Sequence, residues 1–146
     1  MEIRPLAADE VERVDAVLPL SRLDAAQTYL VAWDGGEPVG HAHLAWAATH
    51  LGLPEIQDVY VLPARRREGI ATALTEAAER EARARGHDRI SLSVSEAGNP
   101  AARRLYERLD YVDAGVDRVR VQGTITLRGA PFEVDDTLLY LVKMLV

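Results

Sequence analysis

With 146 residues, 48% of them hydrophobic and 27% charged, the chain is long enough to fold as one domain (1–146) around a single core, and its composition is neither that of a disordered segment nor that of a membrane protein. The absence of cysteine excludes disulfides, thiolate metal sites and a cysteine nucleophile. A net charge of −6 argues against nucleic acid as a partner, because that affinity is largely phosphate neutralisation.

In chain order, Glu2–Arg4 is a strand candidate before Pro5. Ala8–Leu18 carries Val11, Val14, Val17 and Leu18 at helical spacing, and Leu20–Ala26 can continue as a short second helix. Thr28–Trp33 is rich in strand formers. Asp34, Gly35 and Gly36 then link it to a second strand, Pro38–Trp46, as a hairpin. Ala48–Pro54 reads as a loop and Glu55–Leu62 as a strand ended by Pro63. The clearest helix is Gly69–Arg85, with an apolar stripe of Ile70, Leu74, Ala77 and Ala78 and a stop at Gly86. Ile90–Val94 is the next strand. Asn99 and Pro100 open another helix as N-cap and first position, with Ala102, Leu105, Tyr106 and Leu109 on one face. Val116–Val121, Thr124–Leu127 and Thr137–Val146 are the remaining strand candidates. No apolar run approaches the roughly 20 residues of a membrane span, and Met1–Pro5 has no signal-peptide character, so a cytoplasmic location is expected.

The stretch from Val59 to Leu74 organises this chain. A strand stops at a proline, a loop carries Arg65, Arg66 and Arg67 before Gly69, and a helix follows. Gly69 and Ala71 offer little or no side-chain bulk. A diphosphate can therefore approach the backbone N–H groups of Arg67, Gly69, Ala71 and Thr72 at the positive end of the helix dipole. Arginine at a helix start opposes that dipole, which a bound anion explains better than an ordinary solvated cap.

Three pieces follow one another: Val59–Pro63, the loop Arg66-x-x-Gly69-x-Ala71, and Asn99–Glu107. In that order and spacing they resemble the GNAT superfamily of acetyl-CoA-dependent N-acetyltransferases. The resemblance implies an α/β (α+β) fold, with a mixed, mostly antiparallel sheet, helices on both faces and a splay between the strands at Val59 and Leu92. It also implies acetyl-CoA as cosubstrate. Arg66, Arg67, Gly69, Ala71 and Thr72 would lie at its pyrophosphate, Val61 and Asn99 at the pantetheine arm, and the Val59 backbone N–H at the thioester carbonyl. Asn99 is equally explained as an N-cap alone. Tyr106 matches the tyrosine that protonates the departing thiolate. Glu55 matches the strand glutamate that serves as base, and strict alternation puts it on one face with Gln57, Val59 and Val61. Four residues of strand span roughly 13 Å, so Glu55 would act through water. A bulge would instead turn Asp58 into the cleft, which keeps Asp58 open as the base.

The reaction so implied is direct acetyl transfer to a primary amine of a small molecule. A protein lysine or N-terminal acceptor and a non-catalytic acyl-CoA-binding module are the alternatives. Dimers are frequent in the superfamily, which makes a homodimer an expectation. No metal is expected: His41 and His43 share a strand face without a third ligand nearby, and they fit the acceptor side instead. His50 and His87 read as loop residues. Two features depart from the family pattern. Asp110 replaces the usual glycine after the tyrosine helix, and Asp113–Asp136 is long enough for an extended hairpin whose Glu133, Asp135 and Asp136 either form a solvated acidic turn or attract a cationic substrate.

Overall fold

The computed structural model describes residues 1–127 and 129–145. The strands are β1 (Glu2–Pro5), β2 (Gln27–Asp34), β3 (Glu37–Ala45), β4 (Glu55–Val61), β5 (Arg89–Ser95), β6 (Val112–Asp113), β7 (Val119–Leu127) and β8 (Ala130–Met144). The α-helices are α1 (Val11–Asp15), α2 (Ile70–Ala84) and α3 (Pro100–Arg108). One mixed sheet runs β1–β2–β3–β4–β5–β8–β6, and β7 pairs with the other half of β8. Every pairing is antiparallel except β4 with β5.

That parallel pair sets the architecture. β4 and β5 touch only through Glu55 opposite Ser91 and Ile56 opposite Leu92. Beyond Ile56 the edge of β4 parts from β5, which continues along β8 as far as Ser95. The sheet therefore opens into a wedge at Asp58–Val61, where the resemblance placed it.

Apolar residues cover both faces of the sheet. On one side Ile70, Leu74, Ala78 and Ala82 of α2 pack with Ala42, Leu44, Ile56, Ile90, Leu92 and Leu141. Gly40 permits that approach, since a Cβ there would lie 2.9 Å from the Tyr60 carbonyl oxygen and 3.2 Å from Leu74 Cδ1. Tyr106 and Leu109 of α3 join the same cluster from its margin. On the other side Val14, Leu18 and Leu20 cover Tyr29, Val31 and Trp33. Helices thus lie on both faces. The β2–β3 turn has Gly35 and Gly36 at φ +59° and +83°, the pair of positive angles that a tight two-residue hairpin turn requires.

The expected helix over Ala8–Leu18 is shorter than its spacing suggests: a 3₁₀ turn at Ala8–Glu10 leads into five residues of α1. Leu20–Ala26 is no helix. Pro19 precedes it, and side chains satisfy its backbone instead. Leu20 N–H donates to Asp15 Oδ1 at 2.7 Å, Ser21 N–H to the Tyr29 hydroxyl at 2.9 Å, and Ala26 N–H to Asp24 Oδ1 at 2.9 Å. The separate candidates Val116–Val121 and Thr124–Leu127 are one strand, which passes through Gly123 at φ +128°. Its partner begins at Ala130 rather than Thr137, because cross-strand pairing with β7 outweighs the poor strand propensity of Pro131 and the acidic residues after it. Val146, at the end of the last strand candidate, lies outside the described residues. Asp110 takes φ +72°, the helix-stop conformation expected of that position. No described helix is long and apolar enough to cross a membrane.

Candidate active site

The wedge and the loop after β4 enclose a cleft of about 630 Å³. Asp58, Val59, Tyr60 and Val61 form its strand wall, Arg66, Arg67, Gly69, Ala71 and Thr72 its basic end, and Asn99 and Arg108 its α3 side. All eight residues expected at the cosubstrate therefore line one cavity. Gly69 is the N-cap of α2 at φ +81°, and a Cβ there would meet nothing within 4 Å; the backbone angle is what calls for glycine. Its carbonyl accepts from Ala73 N–H at 3.0 Å, so the N–H groups of Ile70, Ala71 and Thr72 fall in the first turn, without intrahelical partners. A diphosphate fits that turn and the open space over Gly69.

The three arginines divide their work. Arg65 also lines the cleft, but its guanidinium is held by Glu68 at 3.0 Å and Asp34 at 2.7 Å. Arg66 donates from Nε to the Val61 carbonyl at 3.0 Å, with its guanidinium 5.5 Å from the Tyr60 ring centre, which ties the loop to β4. Arg67 adopts φ +68°, a strained angle for a side chain of that size. Asn99 caps α3, its Oδ1 accepting from Ala102 N–H at 3.0 Å, while it also faces the cleft. Arg108, which no sequence motif singles out, adds a fourth arginine to the cavity and projects from the last turn of α3.

Strict alternation fails in β4. Pairing with β3 jumps from His43 opposite Asp58 to Leu44 opposite Ile56, which leaves Gln57 as an extra residue. Ile56, Val59 and Val61 consequently belong to the α2 side, and Asp58 and Tyr60 stand opposite His43 and His41. Glu55 is 7% exposed at the foot of the strand. Its Oε2 accepts from Gln57 Nε2 at 2.8 Å, and its charge adds to the rise that burial imposes on the Tyr140 phenol. It lines neither this cleft nor the second one described below. Asp58 lines both.

Tyr106 sits close enough to Asp58 for that carboxylate to act on it. Burial pushes its phenol up to about 12, the Asp58 charge adds to the rise, and a hydrogen bond with the Thr75 side chain opposes it. Behind Tyr106 the Tyr111 ring stands edge-on at 5.7 Å. The Tyr111 hydroxyl donates to Glu79 Oε2 at 3.0 Å, and Lys143 Nζ, the only lysine amine of the chain, donates to Glu79 Oε1 at 2.9 Å. A buried ion pair joining α2 and β8 thus fixes the ring that backs Tyr106. The spacing of apolar residues gave no hint of it; a lone lysine within a strand was the available clue.

A second cleft of about 460 Å³ lies on the other face of β4. Ser21 and Arg22 come from the segment after α1, His43 from β3, Gln57 and Asp58 from β4, and Ile125 and Thr126 from β7. The β7–β8 hairpin forms its roof, and a Cβ on Gly129 at the hairpin tip would lie 3.3 Å from Pro19 Cβ. His43 stacks on Tyr29 at 4.4 Å, and its Nε2 donates to Gln27 Oε1 at 2.6 Å. Burial, followed by the charge of Arg22, lowers His43 to about 4, so its imidazole is neutral at pH 7. His41 packs edge-on against the same tyrosine at 5.1 Å. His50 and His87 lie against Tyr140 and Trp46. Asp135 pairs with Arg120, and Glu133 accepts from Thr124 at 2.8 Å, so these acids brace the hairpin.

Known proteins share this fold. Residues 3–111 match the Acetyltransferase (GNAT) family. The streptothricin acetyltransferase of Streptomyces lavendulae is 30% identical over 99 residues, which cover 68% of this chain and 51% of that protein. The chain thus spans about half the length of the curated relative it matches. Among solved structures, the ribosomal-protein-S18-alanine N-acetyltransferase of Escherichia coli superposes with a TM-score of 0.73 at 19% identity, covering 99% of this chain and 93% of that one. An aminoglycoside 6′-N-acetyltransferase complexed with coenzyme A does so with a TM-score of 0.70 at 17% identity, covering 100% of this chain and 98% of that one. The structural likenesses show the fold, the match over 3–111 adds the lineage, and the chain belongs to the acetyltransferase (GNAT) family.

Proposed function

We propose that the protein is an N-acetyltransferase that moves an acetyl group from acetyl-CoA to the primary amine of a small molecule, in a ternary complex and without a covalent enzyme intermediate. Acetyl-CoA brings the thioester acyl group. The first turn of α2 with Arg66, Arg67 and Arg108 holds its phosphates, and the exposed edge of β4 at Val59 and Val61 takes the arm and polarises the carbonyl. The observation that carries this reading is the position of Asp58. It is the one residue described as lining both clefts, at the point where the sheet opens.

Asp58 rather than Glu55 is then the base, because the bulge at Gln57 turns Asp58 to the junction and leaves Glu55 at the strand foot. It relays the acceptor's proton toward solvent; forming the free amine at pH 7 costs about 1 kcal/mol for an α-amine and about 4–5 for a lysine-like amine. The freed nitrogen lone pair attacks the thioester carbonyl carbon; the C–N bond forms, the C–S bond breaks, Tyr106 passes its proton to the departing sulfur, and the second proton that the new amide nitrogen sheds returns to the Tyr106 phenolate through solvent. A phenol held at about 12 is a weaker acid than free tyrosine, so it releases the proton only as negative charge builds on sulfur. The hairpin roof of Ile125 and Thr126 makes the acceptor side a pocket rather than an open groove, which favours a small molecule over a protein segment.

The test is direct. Acetyl-CoA raises the melting temperature of the purified protein, and a panel of small primary amines releases free thiol from it. No thermal shift at millimolar acetyl-CoA overturns the reading.

A further inference from the structure

The acceptor pocket carries two opposite charges and a neutral centre. Asp58 supplies the carboxylate, Arg22 the guanidinium, and His43, which feels both charges, is uncharged at pH 7. Arg22 does not occupy its place through a loose loop alone. Ser21, immediately before it, is fixed twice to Tyr29: its N–H donates to the tyrosine hydroxyl at 2.9 Å and its Oγ lies 3.0 Å from the same atom. That tyrosine stacks on His43, so one ring registers Arg22 against the pocket floor.

The Arg22 guanidinium has no carboxylate partner among the described residues. Arg4, Arg65, Arg103 and Arg120, by contrast, are each matched to one. Asp24, the nearest acid in the same segment, instead accepts from the backbone of Ala26. Arg66, Arg67 and Arg108 of the donor cleft are likewise unmatched among the described residues, and so are Arg80, Arg83 and Arg104; Arg22 stands apart from these last three in lining the cleft that Asp58 lines. An unmatched guanidinium facing a pocket is a site for a planar or tetrahedral anion, because its fork of N–H donors fits carboxylate and phosphate alike.

From this we infer that the acceptor is an amine that also carries an anionic group, carboxylate or phosphate, with the amine at Asp58 and the anion on Arg22. The inference rests on the acetyltransferase reading and adds the substrate class to it. A cleft of about 460 Å³ suits a compact molecule, and Ile125 in the roof gives an aliphatic body something to cover. A polycationic acceptor would set like charge against Arg22, a juxtaposition that the neutral His43 does nothing to relieve.

The experiment compares acceptors in matched pairs by thiol release. L-leucine is set against isopentylamine, and O-phosphoethanolamine against ethanolamine, with cadaverine as the cationic control. In the wild-type protein at least one anion-bearing member exceeds its neutral twin by tenfold or more in kcat/KM, and whether leucine or phosphoethanolamine wins tells carboxylate from phosphate. Arg22→Gln collapses that ratio by tenfold or more through KM, Arg22→Lys keeps part of it, and Arg22→Glu shifts the preference toward cadaverine. Neutral twins turned over as well as their anionic partners would overturn the inference, as would an Arg22→Gln protein with an unchanged ratio. Failure of every anion-bearing amine would overturn it too. The acetyl-CoA thermal shift, measured on the same samples, separates that failure from failure of the acetyltransferase reading itself.

Discussion

The donor and acceptor clefts share Asp58 and are built in opposite ways. The proposed donor cleft draws most of its wall from one continuous run, Asp58–Thr72, and offers largely backbone groups whose positions a strand end, a left-handed glycine and a helix start determine. The acceptor cleft collects side chains from segments spread across 21–126 and closes them under a hairpin. Local chain geometry dictates the first; long-range packing assembles the second. A cosubstrate common to a family suits a site made of backbone, whereas an acceptor peculiar to one member suits a site made of exchangeable side chains.

The largest test of this division falls on the residue that joins the halves. Asp58→Asn should lower kcat by roughly 10²–10³-fold, within the range for loss of a positioned base, while leaving the acetyl-CoA thermal shift in place. The acidic limb of the pH–rate profile should go with Asp58→Asn and persist in Glu55→Gln. Tyr106, held at about 12, keeps its proton up to pH 10, so it imposes no alkaline limb below that. An acidic limb that follows Glu55 instead would return the base to the position that strict alternation suggested.

Acid should weaken the acceptor half through His43. Its pKa is 6.5 in the unfolded chain and about 4 in the folded protein, so the unfolded state binds the proton first as pH falls. Stability from this residue is full above pH 6.5 and is lost as pH drops toward 4, by roughly 2–3 kcal/mol. Melting curves between pH 6.5 and 5, above most carboxylate titration, should therefore steepen in the wild type and flatten in His43→Gln, which retains an amide for Gln27. Equal slopes in the two proteins would show that His43 charges without strain and that the pocket floor is wetter than its burial indicates.

The same contrast explains what the sequence could and could not tell. The loop at Arg66–Ala71, the stripe of α2, the Asn99 cap and the αL stop at Asp110 were legible because each depends on neighbours within a few residues. The bulge at Gln57 was visible only as an alternative: nothing in Glu55–Val61 itself chooses where the extra residue falls, since the choice depends on the register with β3. The segment after α1 was misread as helical because its apolar spacing fits a helix, whereas Pro19 and the side chains of Asp15, Asp24 and Tyr29 supply its structure. Arg22 could not be singled out among 16 arginines without knowing that its neighbour binds a tyrosine eight residues on.

The smallest expected effect tests the claim that backbone angle, not side-chain chemistry, makes the donor site. Gly69 stands at φ +81° with open space where a Cβ would go, so Gly69→Ala introduces no clash and acts only through conformation. The left-handed angle costs alanine about 1–2 kcal/mol, which the α2 N-terminus can relieve by rotating its free N–H groups away from the phosphates. Acetyl-CoA affinity should fall by about tenfold, read from the ligand dependence of the melting temperature. Asparagine tolerates that angle better than alanine, so Gly69→Asn should lose less despite its larger side chain. If instead asparagine is worse than alanine, bulk over the phosphate rather than φ is what glycine avoids there, and the donor cleft depends on side-chain size as the acceptor cleft does.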